Sequence, residues 1–365
     1  RFNTSGNKNI GLGREALFSN TTASNNIGIG YRAMYYTTVG DSNVAVGTNA
    51  LRDNISAYGN TAVGFEAMSN TTNEHNTAIG VQALYFNTTG YKNTANGAFS
   101  LRNNTSGFSN VALGYYSIFN NTTGSGNTAI GNNSGGGVLT GDYNTAIGYF
   151  AGSWVSAQSG STAVGAFSNN AGYDRSTALG YSADNTAGHQ IMLGSPSVTS
   201  VAAYADYTVL SDKRFKKNIS ENIHGLDFIM QLKPVSYNYD ISELFKFQGK
   251  DVPPASITDK TKREIWLKQE NSAVANKESI RYSGFLAQDV EEAANKTGFN
   301  FSGVRKPENE KDHYGLAYSS FVVPLVKAVQ EQQIQIEELK QIVNVIDEFK
   351  KEIEALKKQI NQTKL

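Results

Sequence analysis

The chain has 365 residues, enough for two or three domains. Its 32 basic and 32 acidic residues cancel, which argues against a general polyanion or nucleic-acid binder. It has no cysteine, so disulfides, thiol chemistry and Cys-based metal sites are excluded, and His75, His189, His224 and His313 form no ligand-spaced pair. No metal and no cofactor is expected. No apolar run approaches the ~20 residues that span a bilayer, so membrane insertion is not expected either. The chain opens at Arg1 without a signal-like stretch and reads as the C-terminal part of something longer.

These averages hide a division. Residues 1–200 hold 29 of the 35 glycines but only 16 of the 64 charges. The change of character falls near 201–210.

A five-residue unit recurs through the first part, from NIGLG (9–13), NIGIG (26–30) and NVAVG (43–47) to NTAIG (144–148), STAVG (161–165) and STALG (176–180), with a weaker QIMLG ending at Gly194. Between the eleven strong copies, eight of ten steps are 17 residues and the others are 16 and 15. A fixed period of this kind marks stacked structural repeats. The second position is β-branched in all twelve copies, the fourth is aliphatic except for Asn96, the third is nearly always Ala or Gly, and the fifth is Gly. Alternation at period two with β-branched residues predicts a short strand, one face apolar and the other so bare that another backbone can approach closely. Ala or Ser follows three residues past each closing glycine, and Leu, Met or Ile follows next in the first seven copies (Leu17 to Ile118). Polar turns such as NTTG (87–90, 121–124) complete the unit.

Seventeen residues suit one coil of a parallel β-solenoid rising ~4.8 Å per coil. The asparagines that open nine successive copies are expected to form a ladder. The sequons at Asn20, Asn70, Asn87 and Asn121 are glycosylation candidates, but they read better as turn chemistry copied with the repeat. A single coil has too few apolar groups to offset the ordering of its backbone, so stacking and oligomerisation must supply the difference. On these units, residues 1–194 resemble the head repeats of trimeric autotransporter adhesins, a β-roll assembled from three chains; similar units occur in phage tail fibres. An autotransporter would end in a membrane barrel, whereas this chain ends in a charged helix.

The second part contains SDKRFKKNI (211–219), KPVSYNY (233–239), YSGFLAQDVEEA (282–293) and a long helix from about Ser319. Together these resemble the C-terminal intramolecular chaperone of phage endosialidases, tail fibres and tailspikes, also found in myelin-type membrane-bound transcription factors. The resemblance implies a domain that trimerises, guides folding of the upstream fibre and then cuts itself away just before its first serine. It implies a Ser–Lys dyad at Ser211 and Lys216 and a scissile bond at Leu210–Ser211, a self-cleaving serine peptidase that turns over no external substrate. Phe215 stands where that motif usually has Leu. From the residues themselves, a serine hydroxyl needs a base, and a lysine can be one where desolvation or neighbouring positive charge lowers its pKa. Lys213, Arg214 and Lys217 supply such charge. The competing reading is that Ser211 caps a turn and the basic run is a solvated face. Gln288 and His313 read as structural.

In the last helix, Leu339, Ile346, Ile353 and Ile360 at a and Ile342, Phe349 and Leu356 at d form a coiled-coil seam, with Gln332 and Gln335 weakening it upstream.

The expected architecture is mainly β, then α+β: a trimeric β-solenoid over 1–200, a linker with the cleavage site over 201–210, a chaperone domain over 211–318 and a coiled-coil helix over 319–365. The expected function is a trimeric tail-fibre-type adhesion protein on a virion or extracellular particle. Its partners would be two further copies of itself and a host surface receptor, a glycan or an outer-membrane component, with no nucleic acid. Aromatic pairs such as Tyr35–Tyr36, Tyr85–Phe86, Tyr115–Tyr116 and Tyr149–Phe150 follow the strands and serve packing or sugar stacking. The alternatives are a bacterial surface adhesin or a polysaccharide-degrading tailspike with a site between chains. A glycosidase needs two carboxylates roughly 5–9.5 Å apart. The column mates Glu15 and Glu66 lie three coils apart, about 14 Å at ~4.8 Å per coil, and Asp41 and Asp142 lie farther.

Overall fold

The structure, a computed structural model, describes residues 3–137, 140–152, 157–249, 251–253 and 257–362, with side chains to 359. Ile360 of the expected seam therefore has its side chain outside the described residues. Two compact units result: Arg1–Ala202 with Asp240–Lys277, and Ala203–Tyr239 with Glu278–Leu365.

The repeat is a parallel β-solenoid. Twelve three-residue strands, from β1 (Ile10–Leu12) through β6 (Thr94–Asn96) to β12 (Ile191–Leu193), pair in sequence order in one sheet. Every pairing is parallel and keeps the columns aligned, as in Ile79↔Asn96 and Asn96↔Leu113. The shorter coils do not disturb this, because Thr61 pairs with Thr77 across the 16-residue step and Thr162 with Thr177 across the 15-residue step. Each coil has one strand only. Its second apolar segment is a turn, with left-handed backbone at Leu17, Met34, Leu51, Met68, Leu84, Leu101 and Ile118 (φ between 47° and 52°). That conformation is uncommon for any residue with a Cβ. It is held here by the neighbouring coil, as where Leu84 N–H donates to Ser100 O (3.0 Å).

The bare strand face is the inner one. Ala45, Ala62, Ala78, Ala95, Ala112, Ala129, Ala146 and Ala163 are fully buried, beside the Leu/Met/Ile column. The backbone that the small face admits is the opposite wall of the same coil: a Cβ at Gly28 would lie 3.4 Å from Ala33 O. The two β-branched and aliphatic positions point outward. Ile10, Leu12, Ile79, Leu113, Ile130, Ile147, Leu179 and Leu193 all remain exposed, in two ladders that run the length of the sheet. The closing glycines are needed for both conformation and space. At Gly97 φ is 139°, and a Cβ would lie 2.4 Å from Gly114 O of the next coil.

The asparagine ladder differs from a plain stack of amides. Each Oδ1 accepts the backbone N–H of the next asparagine, from Asn43 on Asn26 (2.8 Å) through Asn127 on Asn110 (2.9 Å) to Asn144 on Asn127 (2.9 Å). Each Nδ2 reaches a carbonyl one coil on, as Asn110 does to Gly124 O (2.8 Å). A true amide stack forms in the second column, where Asn104 donates to Asn87 Oδ1 and Asn121 to Asn104 Oδ1, both 2.7 Å. Asn20, Asn87 and Asn121 are buried and Asn70 Nδ2 donates to Tyr85 O, so these sequons are turn structure.

In the same unit, α2 (Ile241–Phe247) and α3 (Lys260–Glu278) pack through Ile241, Phe245 and Val274. Trp266 Nε1 of α3 donates to the Tyr181 hydroxyl (2.5 Å).

The second unit is built on Phe228 of α1 (Leu226–Ile229), Val290, Ala293 and Ala294 of α4 (Ala287–Thr297), and Phe321, which precedes α5 (Val322–Gln362). Two small antiparallel pairs, β13 (Val235–Tyr237) with β14 (Tyr282–Gly284) and β15 (Val304–Arg305) with β16 (Gly315–Leu316), complete it. Asp312 is fully buried and takes two Arg305 hydrogen bonds (3.1 and 2.6 Å) and one from Glu308 N–H (3.0 Å). The apolar series on α5 runs farther upstream than the heptads suggest. Val322, Leu325, Val329 and Ile336 are exposed, and they meet the lower seam through Leu339 by two successive three-residue steps, 336–339–342. Such an insertion overwinds a coiled coil locally.

Candidate processing site and its relatives

The candidate site begins within a stretch without secondary structure, residues 205–212. Leu210 is 78% exposed and Ser211 is exposed as well. A 3₁₀ turn, Lys213–Phe215, brings the two named side chains together: Lys216 Nζ donates to Ser211 Oγ at 2.8 Å. The turn is capped by Asp212, not Ser211. Asp212 Oδ1 accepts Arg214 N–H (2.9 Å), and the Arg214 guanidinium clasps the same carboxylate (2.7 and 3.0 Å). This clasp holds the Asp212 carboxyl below the usual carboxylate range, through the Arg214 side chain first and its backbone N–H second. The basic run is thereby divided: Arg214 is taken up by Asp212, while the exposed Lys213 lies between Ser211 and Lys216 in sequence and the exposed Lys217 follows them. Asp212 was not singled out from the sequence, although Asp is among the residues that ordinarily cap the start of a helical turn.

The arrangement can transfer a proton from hydroxyl to amine once the lysine is neutral, which requires its removal from water. Ser211 and Lys216 are both exposed in the single chain. The remaining named residues play other parts. His313 Nδ1 lies 3.2 Å from Tyr314 O, and Gln288 sits in the first turn of α4. The repeat acids are engaged in structure: Glu15 pairs with Arg32 (2.7 Å), Asp41 accepts Ser24 N–H (2.6 Å) and Asp142 accepts Ser125 N–H (2.7 Å). Among the described residues, no cluster of His, Cys, Asp and Glu could hold a metal ion, and no helix is long and apolar enough to cross a membrane.

A parallel β-solenoid of 17-residue coils, followed by a helical unit that ends in a long helix with an exposed apolar seam, is the architecture of a fibre subunit. Among known families, residues 211–299 match the one described as the chaperone of endosialidase, and the first matched residue is Ser211. The match and the solenoid ahead of it fit a tail fibre of the endosialidase type. No curated protein and no solved structure matches the chain.

Proposed function

We propose that this chain is the subunit of a homotrimeric, tail-fibre-type adhesion protein of a phage particle. In this reading 1–200 are the receptor-binding shaft, 201–210 the processing linker, 211–318 the chaperone and 319–365 the helix that joins three copies. The observation that carries it is the outward face of the sheet. Two ladders of β-branched and aliphatic side chains cross twelve strands, a span of about 50 Å at ~4.8 Å per strand. The fourth-position ladder is aliphatic in eleven of twelve coils, and soluble monomers rarely leave an apolar stripe of that extent uncovered. The exposed seam of α5 is its counterpart at the other end of the chain. A near-identical repeat specifies its own alignment weakly, whereas an aperiodic domain assembled first would align three chains before their coils zip together.

The chaperone is then released. Ser211 Oγ attacks the Leu210 carbonyl carbon and its proton passes to a neutral Lys216. The Leu210–Ser211 C–N bond breaks, and the proton is delivered to the departing amine. The ester left between the Leu210 carbonyl and Ser211 Oγ is hydrolysed by water to the Leu210 carboxylate. Packing of three copies around residues 211–216 would remove the dyad from water. Denaturing electrophoresis of wild type beside Ser211→Ala and Lys216→Ala tests this. A fragment with Ser211 at its N-terminus is expected from wild type only; its persistence in both variants, or one intact band in all three, refutes self-cleavage by this dyad.

A further inference from the structure

We propose that Asn96 locks, within the shaft, the coil-to-coil alignment that the chaperone first sets, in which three copies of this chain pack through their strand faces. The proposal rests on the trimeric reading above and concerns how that interface is specified.

The outer ladder at the fourth repeat position runs Leu12, Ile29, Val46, Val63, Ile79, Asn96, Leu113, Ile130, Ile147, Val164, Leu179, Leu193. Asn96 is its single polar member. It lies at mid-length, directly between Ile79 and Leu113 in the pairing. Its side chain is exposed, and its amide makes no hydrogen bond to another described residue. An asparagine with this orientation contributes nothing to the coil that carries it. In every other coil the position holds the aliphatic side chain that an apolar interface favours.

Nothing else on this face marks one coil from the next as sharply. The 16- and 15-residue coils absorb their missing residues in the turns and leave the ladder unbroken. The neighbouring ladder runs Ile10, Ile27, Val44, Thr61, Thr77, Thr94, Val111, Thr128, Thr145, Thr162, Thr177, Ile191, in which long runs of one residue type repeat and Thr, Val and Ile have nearly the same shape. Three copies shifted by one coil would therefore still match almost every column. Only at Asn96 would the shift be costly. Aligned, three amides face one another, each with two donors and an acceptor, and they can satisfy one another. Shifted, each amide is buried against Ile79 or Leu113 of a neighbour, and a buried polar group without a partner pays its full desolvation penalty. One asparagine in an otherwise apolar seam specifies register in coiled coils by the same physics.

The test moves the marker. In the full-length chain, Asn96→Ile is combined with Ile79→Asn, which preserves composition and shifts the asparagine by one coil. Wild-type and relocated chains carrying different affinity tags are co-expressed, and trimers holding both tags are counted. Two tagged wild-type chains, and two tagged relocated chains, are expected to mix statistically. Wild type with relocated chain is expected to give at least about fivefold fewer mixed trimers, the ratio that corresponds to ~1 kcal/mol for unpaired buried amides. Asn96→Ile with Ile130→Asn shifts the marker the other way and keeps the test available should the first variant fold poorly. Statistical mixing of wild type with a relocated chain overturns the role of Asn96 and leaves the trimer standing. A wild-type chain that is monomeric by light scattering overturns the trimeric reading and this proposal with it.

Discussion

Asn110 lies in the middle of the inner ladder, and its replacement by Ala measures what that ladder contributes. Its Oδ1 accepts Asn127 N–H (2.9 Å), and its Nδ2 donates to Gly124 O (2.8 Å) and Asn93 Oδ1 (3.1 Å). The two acceptors keep other partners, since Gly124 O also accepts Asn121 Nδ2 and Asn93 Oδ1 also accepts Asn110 N–H. Asn127 N–H has no such alternative. The expected cost is therefore one orphaned buried donor, about 1–3 kcal/mol, plus the lost packing of a buried side chain, about 2–4 kcal/mol together. Asn110→Ser should cost less, because serine occupies this column at Ser161, where its hydroxyl accepts Ser176 N–H (3.4 Å). The assay is hydrogen exchange at the Val111 and Thr128 amides, which donate to Asn127 O and Asn144 O (both 2.8 Å). If these open locally, exchange should accelerate about 30- to 1,000-fold, while the exposed Ser106→Ala leaves it unchanged. Exchange at both amides within threefold of wild type would refute the view that the ladder, rather than the thin Ala and Leu core, holds successive coils in place.

Three further outcomes follow from the second unit. Asp212→Ala removes the cap of the 3₁₀ turn and should slow release of the fragment while leaving Ser211 and Lys216 intact; a processing time course at unchanged trimer content checks it. Asp312→Ala frees the Glu308 N–H and leaves the half-exposed Arg305 to water, and should destabilise this unit by about 1–3 kcal/mol, with Asp312→Asn intermediate, as read by denaturant unfolding. The Glu291 carboxyl is held below its usual range, first by Lys306 and then by the Tyr314 hydroxyl. Because the folded state lowers this pKa, the associated stabilisation is present above the unfolded carboxylate value and lost as pH falls through the folded one. Glu291→Gln should therefore flatten the acid limb of the unit's stability and leave its neutral plateau nearly parallel to wild type, as measured by acid titration of unfolding.

The solenoid was legible because its determinants are local and repeated. The β-branched second position, the small third position and the closing glycine each recur in one column, so twelve copies average out any single deviation. Which strand face turns inward was not legible from alternation, which is symmetric between faces. The decision rests on size: a coil this narrow, already holding the Leu/Met/Ile column of the opposite wall, accepts only the Ala side of the strand and leaves the strand's own Val, Ile and Leu outside. The left-handed backbone at Leu17 through Ile118 was hidden for a related reason, since glycine or asparagine normally announces it and here the neighbouring coil enforces it. At the candidate site, the pair Ser211 and Lys216 came from the resemblance of SDKRFKKNI to the chaperone motif, since a serine and a lysine five residues apart do not by themselves mark a dyad. The clasp of Asp212 on Arg214 depends on the turn conformation and was read instead as undivided positive charge. On α5, a single heptad frame fitted the lower half and placed Gln332 and Gln335 on the seam. A three-residue step at Leu339 brings Val322, Leu325 and Val329 into the same series.

The central claim is that the outward ladders of the sheet are covered by two further copies of the same chain. Light scattering coupled to size-exclusion chromatography measures this directly on the full-length Ser211→Ala chain, which keeps shaft and chaperone joined. The account predicts a single species of three chain masses. A stable species of one chain mass, with the twelve-strand apolar face open to water, would contradict it.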